Sequence, residues 1–238
     1  MMPHSAQLHW DHRDGRVAAV VAAIVYSLWV LEVMLPSGAA QGALADQGST
    51  FARFLESANR TAAILVILAA GLGLGLGARE TGHLLTASWW SMVVFGVASL
   101  VATLLPGPCV VSTDVVCTAE SLVEGVPGAT PAQAVVAATA LLSAMAGVIL
   151  LALDRRRRHD RTWPLVALLA VLQSVAAVTL AVMAVRIHVT SGDGDPGVVF
   201  GFAQRAHLVT VALWLLATGL LSGPWRRTRD VHRTRVSG

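Results

Sequence analysis

The side chains able to do chemistry in this chain are few and far apart. Cys109 and Cys117, within GPCVVSTDVVC, are its only cysteines. Redox enzymes of the thioredoxin type use Cys-x-x-Cys near a βαβ pattern, and neither is present here. In an oxidising compartment the pair is expected to form a structural disulfide. Closing so short a loop would stabilise the chain by roughly 2–3 kcal/mol and shape the segment around Asp114. Two free thiols are the alternative.

A second set is ionic. Glu32 lies inside an apolar run, about 24 Å of helix from Arg16, and an acid at that depth must face other helices and be paired or protonated. Arg60, Arg186 and Arg205 border other apolar runs. Each lies roughly 28–37 Å of helix from an arginine at the opposite end of its run, so all three can reach lipid headgroups as snorkelling anchors. His207 and His188 are expected at the same outer level. Glu32, Arg60, Arg186, Arg205 and His207 therefore form the candidate ligand-binding set, with a structural ion pair to Glu32 as the bland alternative. Two histidines with Glu32, Glu56 or Asp114 could hold a metal, but no close ligand spacing such as HExxH supports it, and no metal is expected. His83 and His159 fall in turns and read as solvated.

Other patterns carry less. GLGLGLG at 71–77 lacks the strand-before, helix-after context of a phosphate cradle. Its glycines recur four apart, as small residues do where helices pack closely in lipid. No P-loop, kinase signature or nucleophile elbow occurs, and no cofactor is expected. Gln173 and Ser174 suit interhelical hydrogen bonds.

These residues are carried by a strongly apolar chain of 238 residues. Hydrophobic residues make up 55% and charged residues 13%, about half the charge of a soluble domain, and the mean hydropathy is +0.66. Six apolar runs stand out, at about 17–35, 61–77, 84–105, 133–153, 163–185 and 206–223. Each approaches the ~20 residues a helix needs to cross ~30 Å of hydrocarbon. The expected fold is an all-α integral membrane bundle of six transmembrane helices spanning residues 17–223. A cytoplasmic tail (1–16) would precede it and a basic cytoplasmic tail (224–238) follow it. The first run is longer than a signal-peptide core and carries Glu32, so it reads as a span. Phe51, Phe54, Leu55 and Ala58 share one helical face, which predicts a short surface helix capped by Ser49 or Thr50. The segment 106–132 reads as a long loop with turn chemistry, and Ser-Gly-Asp-Gly-Asp-Pro-Gly at 191–197 as a turn.

All 17 basic residues are arginine. Thirteen fall in the tails and the turns at 79 and 155–161; four, Arg53, Arg60, Arg186 and Arg205, fall on the other side. The richer side is expected in the cytoplasm, which places both termini there. The net charge of +3 reflects topology rather than a basic patch with interleaved aromatics, so no nucleic-acid partner is expected.

Two stretches, FGVASLVATLLPGPCVVSTDVVC and FGFAQRAHLVTVALWLL, resemble the bacterial multispan membrane proteins grouped as domain of unknown function family 998. The likeness rests on Pro106, Cys109, Cys117, Gly201, Gln204, Arg205 and Trp214. Those proteins often place an acid before the first cysteine and a histidine at the start of the next span; here Pro108 and the stretch Thr130–Gln133 stand there. The resemblance implies a multi-pass protein of the bacterial plasma membrane and brings no activity. The residues then suggest a non-enzymatic protein that binds a lipid headgroup, or a membrane protein partner, through the outer polar cluster. An enzyme acting on a lipid-linked substrate, with Glu32 as acid or base and His207 or His188 assisting, is the alternative. A small-solute transporter would need more polar groups at mid-span.

Overall fold

The structure is a computed structural model and describes residues 12–34, 50–77, 82–105, 107, 109, 113–190, 197–221 and 225. Among these there is no strand. Helix α1 (His12–Tyr26) continues as a 3-10 segment (Ser27–Met34). Then come α2 (Thr50–Gly77), α3 (His83–Leu104), α4 (Val115–Val123), α5 (Pro131–Arg157), α6 (Trp163–Val189) and α7 (Gly197–Leu220).

Local chemistry explains the ends. Thr130 and the side chain of Gln133 form a capping box at α5, with Pro131 in its first turn, where a missing N–H costs nothing. Arg155, Arg156 and Arg157 occupy its last turn and complement the negative end of the helix dipole. Helix α3 stops two residues short of Pro106, as the restricted residue before proline favours. The C-terminal end of α7, which has no basic residue of its own in the last turn, is capped by another helix: Arg16 of α1 donates to the carbonyls of Gly219 and Leu220, both at 2.8 Å.

Six helices close into a ring. Each of α1, α2, α3, α5, α6 and α7 packs on two neighbours in the order α1–α2–α3–α5–α6–α7 and back to α1. Aromatic rings fill the centre. Phe95 of α3 meets Trp214 of α7 edge-on at 5.9 Å and Tyr26 of α1 at 6.1 Å. Backbones approach closely where a tryptophan lies over a glycine. A Cβ on Gly73 would sit 2.5 Å from Trp89, one on Gly147 2.5 Å from Trp214, and one on Gly15 2.5 Å from Trp225. Lipid tails are as apolar as leucine, so helices in a bilayer associate by such packing and by interhelical hydrogen bonds. Ser88 of α3 supplies one, donating to the Gly147 carbonyl at 2.8 Å.

The burial pattern suits a bilayer and not water. Helix α6 turns Leu165, Leu168, Val171, Val175, Val178 and Val182 outward and buries Gln173. A continuous exposed apolar face of this kind marks contact with membrane. Four helices among the described residues are long and apolar enough to cross one: 53–75 of α2, α3, α5 and α6. The runs at 17–35 and 206–223 take a different form. The first divides into a 15-residue α-helix, which reaches only about 22 Å, and the 3-10 segment. The last becomes α7, which starts nine residues earlier and carries Gln204, Arg205 and His207 in its first half.

Three further expectations change. The surface helix is not separate: Thr50–Gly77 is one helix of 28 residues. No proline or glycine interrupts it before Gly71, and Leu55 and Ala58 are buried against the bundle while Phe54 stays exposed. The loop 106–132 contains α4, which packs on α5 and α6. The two glycine registers of α2 also differ: Gly73 packs under Trp89, whereas Gly71 and Gly75 have open space beside them. The turn at 191–196, Ser49 as a cap, Arg79 and the tail beyond Trp225 lie outside the described residues.

Candidate functional site

Chain direction sorts the molecule into two ends. One gathers the start of α1, the end of α7 and the α5–α6 turn, with Gly82 beside Asp154 and Arg158. The other holds Arg60, Thr103, Asp114 and the start of α5.

At this second end the disulfide Cys109–Cys117 is formed, with Cα atoms 6.0 Å apart. Gly107, just before it, packs against the start of α5, where a Cβ would overlap the Gln133 side chain. Asp114 caps α4: its Oδ1 accepts from the N–H of Val116 at 3.0 Å and of Cys117 at 3.1 Å. Its Oδ2 accepts from the Gln204 side-chain amide of α7 at 2.6 Å. Burial pushes the Asp114 carboxyl above its ordinary range, opposed by these hydrogen bonds. Val116 then plugs the apolar cluster formed by Leu141, Ala177, Leu180 and Ala203. This constellation is structural: each polar atom is engaged within the fold. Sequence reasoning placed Asp114 in the disulfide loop but missed its partner. The signal available was an Asp directly before the apolar stretch Val115–Val123, a helix start.

Arg60 lies on α2 near the end of α3. Its guanidinium reaches the Glu56 carboxylate at 2.8 Å and the Thr103 carbonyl at 3.1 Å. Thr103 belongs to the last turn of α3, where unpaired carbonyls attract cations. The Nε of Arg60 is buried and has no hydrogen-bond partner among the described residues. Beside it a narrow cleft opens between α1, α2 and α3. Tyr26, Asn59, Phe95, Ser99, Thr103 and Thr113 line it, and its centre has room for about one water molecule. Ser99 presents a second buried polar atom, its Oγ, without a partner among the described residues. The cleft thus combines an aromatic wall with hydroxyl and amide groups, and Arg60 stands next to it through its bond to the Thr103 carbonyl.

The other candidates do not join Arg60. Arg186 on α6 and Arg205 on α7 are exposed, and no described residue pairs with either. His188 is also exposed. The backbone of Glu32 lies in the 3-10 segment; its side chain is outside the described residues. His207 is the clearest departure. It is buried inside the bundle, where Nδ1 accepts from the Gln173 amide at 2.8 Å, and Thr210 donates to the Gln173 carbonyl oxygen. His207 lies only two residues, about 3 Å of helix, from Arg205, but it takes the inward face of α7, where it meets Gln173, while Arg205 faces outward. Among the described residues no three His, Cys, Asp or Glu side chains converge as a metal would require.

Fold, lipid-suited surface and sparse internal polarity define a multi-pass α-helical membrane protein. No family model matches the chain, and neither the curated proteins nor the solved structures provide a significant match.

Proposed function

We propose that this is a six-span protein of the bacterial plasma membrane, with both termini cytoplasmic, that binds a lipid headgroup at its extracytoplasmic end without turning it over. Treating α1 with its 3-10 extension and α7 as the first and sixth spans completes an even number. Among the described residues the end with Arg13, Arg16 and Arg155–Arg158 is the more basic, as a cytoplasmic face is. The resemblance in Gln204, Arg205, Trp214 and the cysteine loop is consistent with such a protein and adds no chemistry.

The observation that carries the binding reading is Arg60 itself, whose half-exposed guanidinium bonds Glu56 and the Thr103 carbonyl and leaves its buried Nε without a hydrogen-bond partner among the described residues. A buried donor without a partner costs about 1–3 kcal/mol, and a headgroup phosphate fits a guanidinium by charge and fork geometry. Arg186 and Arg205, which do not join Arg60, serve as separate interfacial anchors. Catalysis has less support, since His207 is engaged with Gln173 and Thr210 inside the bundle.

The test is native mass spectrometry of lipids co-purifying with wild type, Arg60→Gln and Arg205→Ala. One lipid class bound to wild type and reduced about tenfold or more in Arg60→Gln supports the reading. Equal lipid occupancy in Arg60→Gln sinks it, and the same face should then be searched for a protein partner.

A further inference from the structure

At the opposite end of the molecule, α5 and α6 are joined by the run Arg155–Arg156–Arg157–Arg158–His159–Asp160–Arg161. Two of these arginines are neutralised within the turn. Arg155, 2% exposed, donates to Asp160, whose carboxylate also accepts from the N–H and hydroxyl of Thr162, both at 2.9 Å. Arg158 pairs with Asp154 at 2.9 Å. Both acids of the hairpin are therefore used. Arg156 and Arg157 are exposed, and no described carboxylate pairs with either.

These two arginines border a cavity of about 490 Å³, completed by Leu153, His159 and Trp163. Arg156 stands over the Trp163 ring at 6.0 Å, a cation–π distance that holds the guanidinium at the cavity rim. The cavity has two kinds of wall. Leu153 and Trp163 continue the lipid-facing apolar surface of α5 and α6, and Trp is at home at the bilayer interface. One turn beyond come the cations.

We propose that this cleft binds the phosphate headgroup of an anionic phospholipid, with the glycerol and upper acyl chain against Leu153 and Trp163. Three observations favour an amphiphile over a free anion. The cations lie on one side only, the opposite wall is apolar, and the cavity is where two spanning helices leave the bilayer. Basic pockets at such places bind anionic headgroups. The site is at the other end from Arg60, so it stands or falls separately from the function proposed above.

The experiment uses the full chain, purified and delipidated, and offered mixed phosphatidylglycerol and phosphatidylcholine, with bound lipids counted by native mass spectrometry. The Arg156→Gln/Arg157→Gln variant should lose about tenfold or more of its phosphatidylglycerol binding at this site. The charge-matched control Arg13→Gln/Arg161→Gln should keep it. Arg156→Lys/Arg157→Lys should keep part of it, since lysine retains the charge without the fork. Equal loss in both double glutamine variants would reduce the effect to general surface charge and overturn the site. Inorganic phosphate that displaces the lipid at millimolar concentration would overturn the amphiphile reading in favour of a free-anion site. If the glutamine variant does not purify, equal retention of the two lipids by wild type is the overturning result.

Discussion

Gln204 of α7 donates its side-chain amide to the free carboxylate oxygen of Asp114, 2.6 Å away, while the other oxygen of Asp114 caps α4. One carboxyl thus ties a short helix to a long one 90 residues later in the chain. Removing it should be costly. Asp114→Ala is expected to lose the cap, about 1 kcal/mol, together with the bond to Gln204, another ~1 kcal/mol. Thermal melts in detergent check this; Gln204→Ala should show only the second loss.

The same residue sets a pH dependence. Its folded-state pKa is raised by burial, so the folded state favours the protonated form. The associated stability is fully present below the unfolded pKa and lost as pH rises through the folded one. Asp114→Asn keeps an oxygen for the cap and does not titrate. Its melting temperature should lack the decline with rising acidic pH that wild type shows; parallel curves would count against the assignment.

Asp160 should behave with the opposite sign. The Thr162 N–H, its hydroxyl and Arg155 hold its carboxyl below the ordinary range. Its stability is present above the unfolded pKa and lost as pH falls through the folded one. Protection factors of the amides from 155 to 163, taken against the intrinsic exchange rate at each pH, should fall on acidification. Asp160→Ala, which strands buried Arg155, should destabilise by about 3 kcal/mol.

The glycines provide a paired test. At Gly147 an added methyl meets Trp214, so Gly147→Ala should cost about 1–3 kcal/mol through overpacking. At Gly71 nothing lies within 4 Å, and Gly71→Ala should be neutral or gain up to ~1 kcal/mol of helix propensity. Melting temperatures moving the same way would contradict the packing described here.

Replacing Cys109 and Cys117 by serine should cost about 2–3 kcal/mol. The loss should be local: hydrogen exchange should rise in α4 and leave the amides of α3 unchanged.

Much of the fold was legible in the residues themselves. Hydrophobic runs long enough to cross a bilayer must be helical there, since a spanning backbone has to satisfy its own hydrogen bonds. That determined α3, α5 and α6 within a few residues and the C-terminal two thirds of α2, whose first eleven residues were read as a separate surface helix and loop. Ends and partners were another matter. Hydropathy is blind to a polar residue on a buried face, so it started the last span at 206 and left His207 beside the arginines. The helix instead runs from Gly197 and turns His207 inward to Gln173, while Arg205 two residues before it stays exposed. Nothing local to Asp114 names Gln204, and nothing local to Arg60 names the Thr103 carbonyl or the cleft at Ser99. Those pairings depend on which helices become neighbours in the ring. In lipid the neighbours are chosen by small residues under large ones, as with Gly147 under Trp214, and that match is a property of two distant surfaces that exists only once they meet.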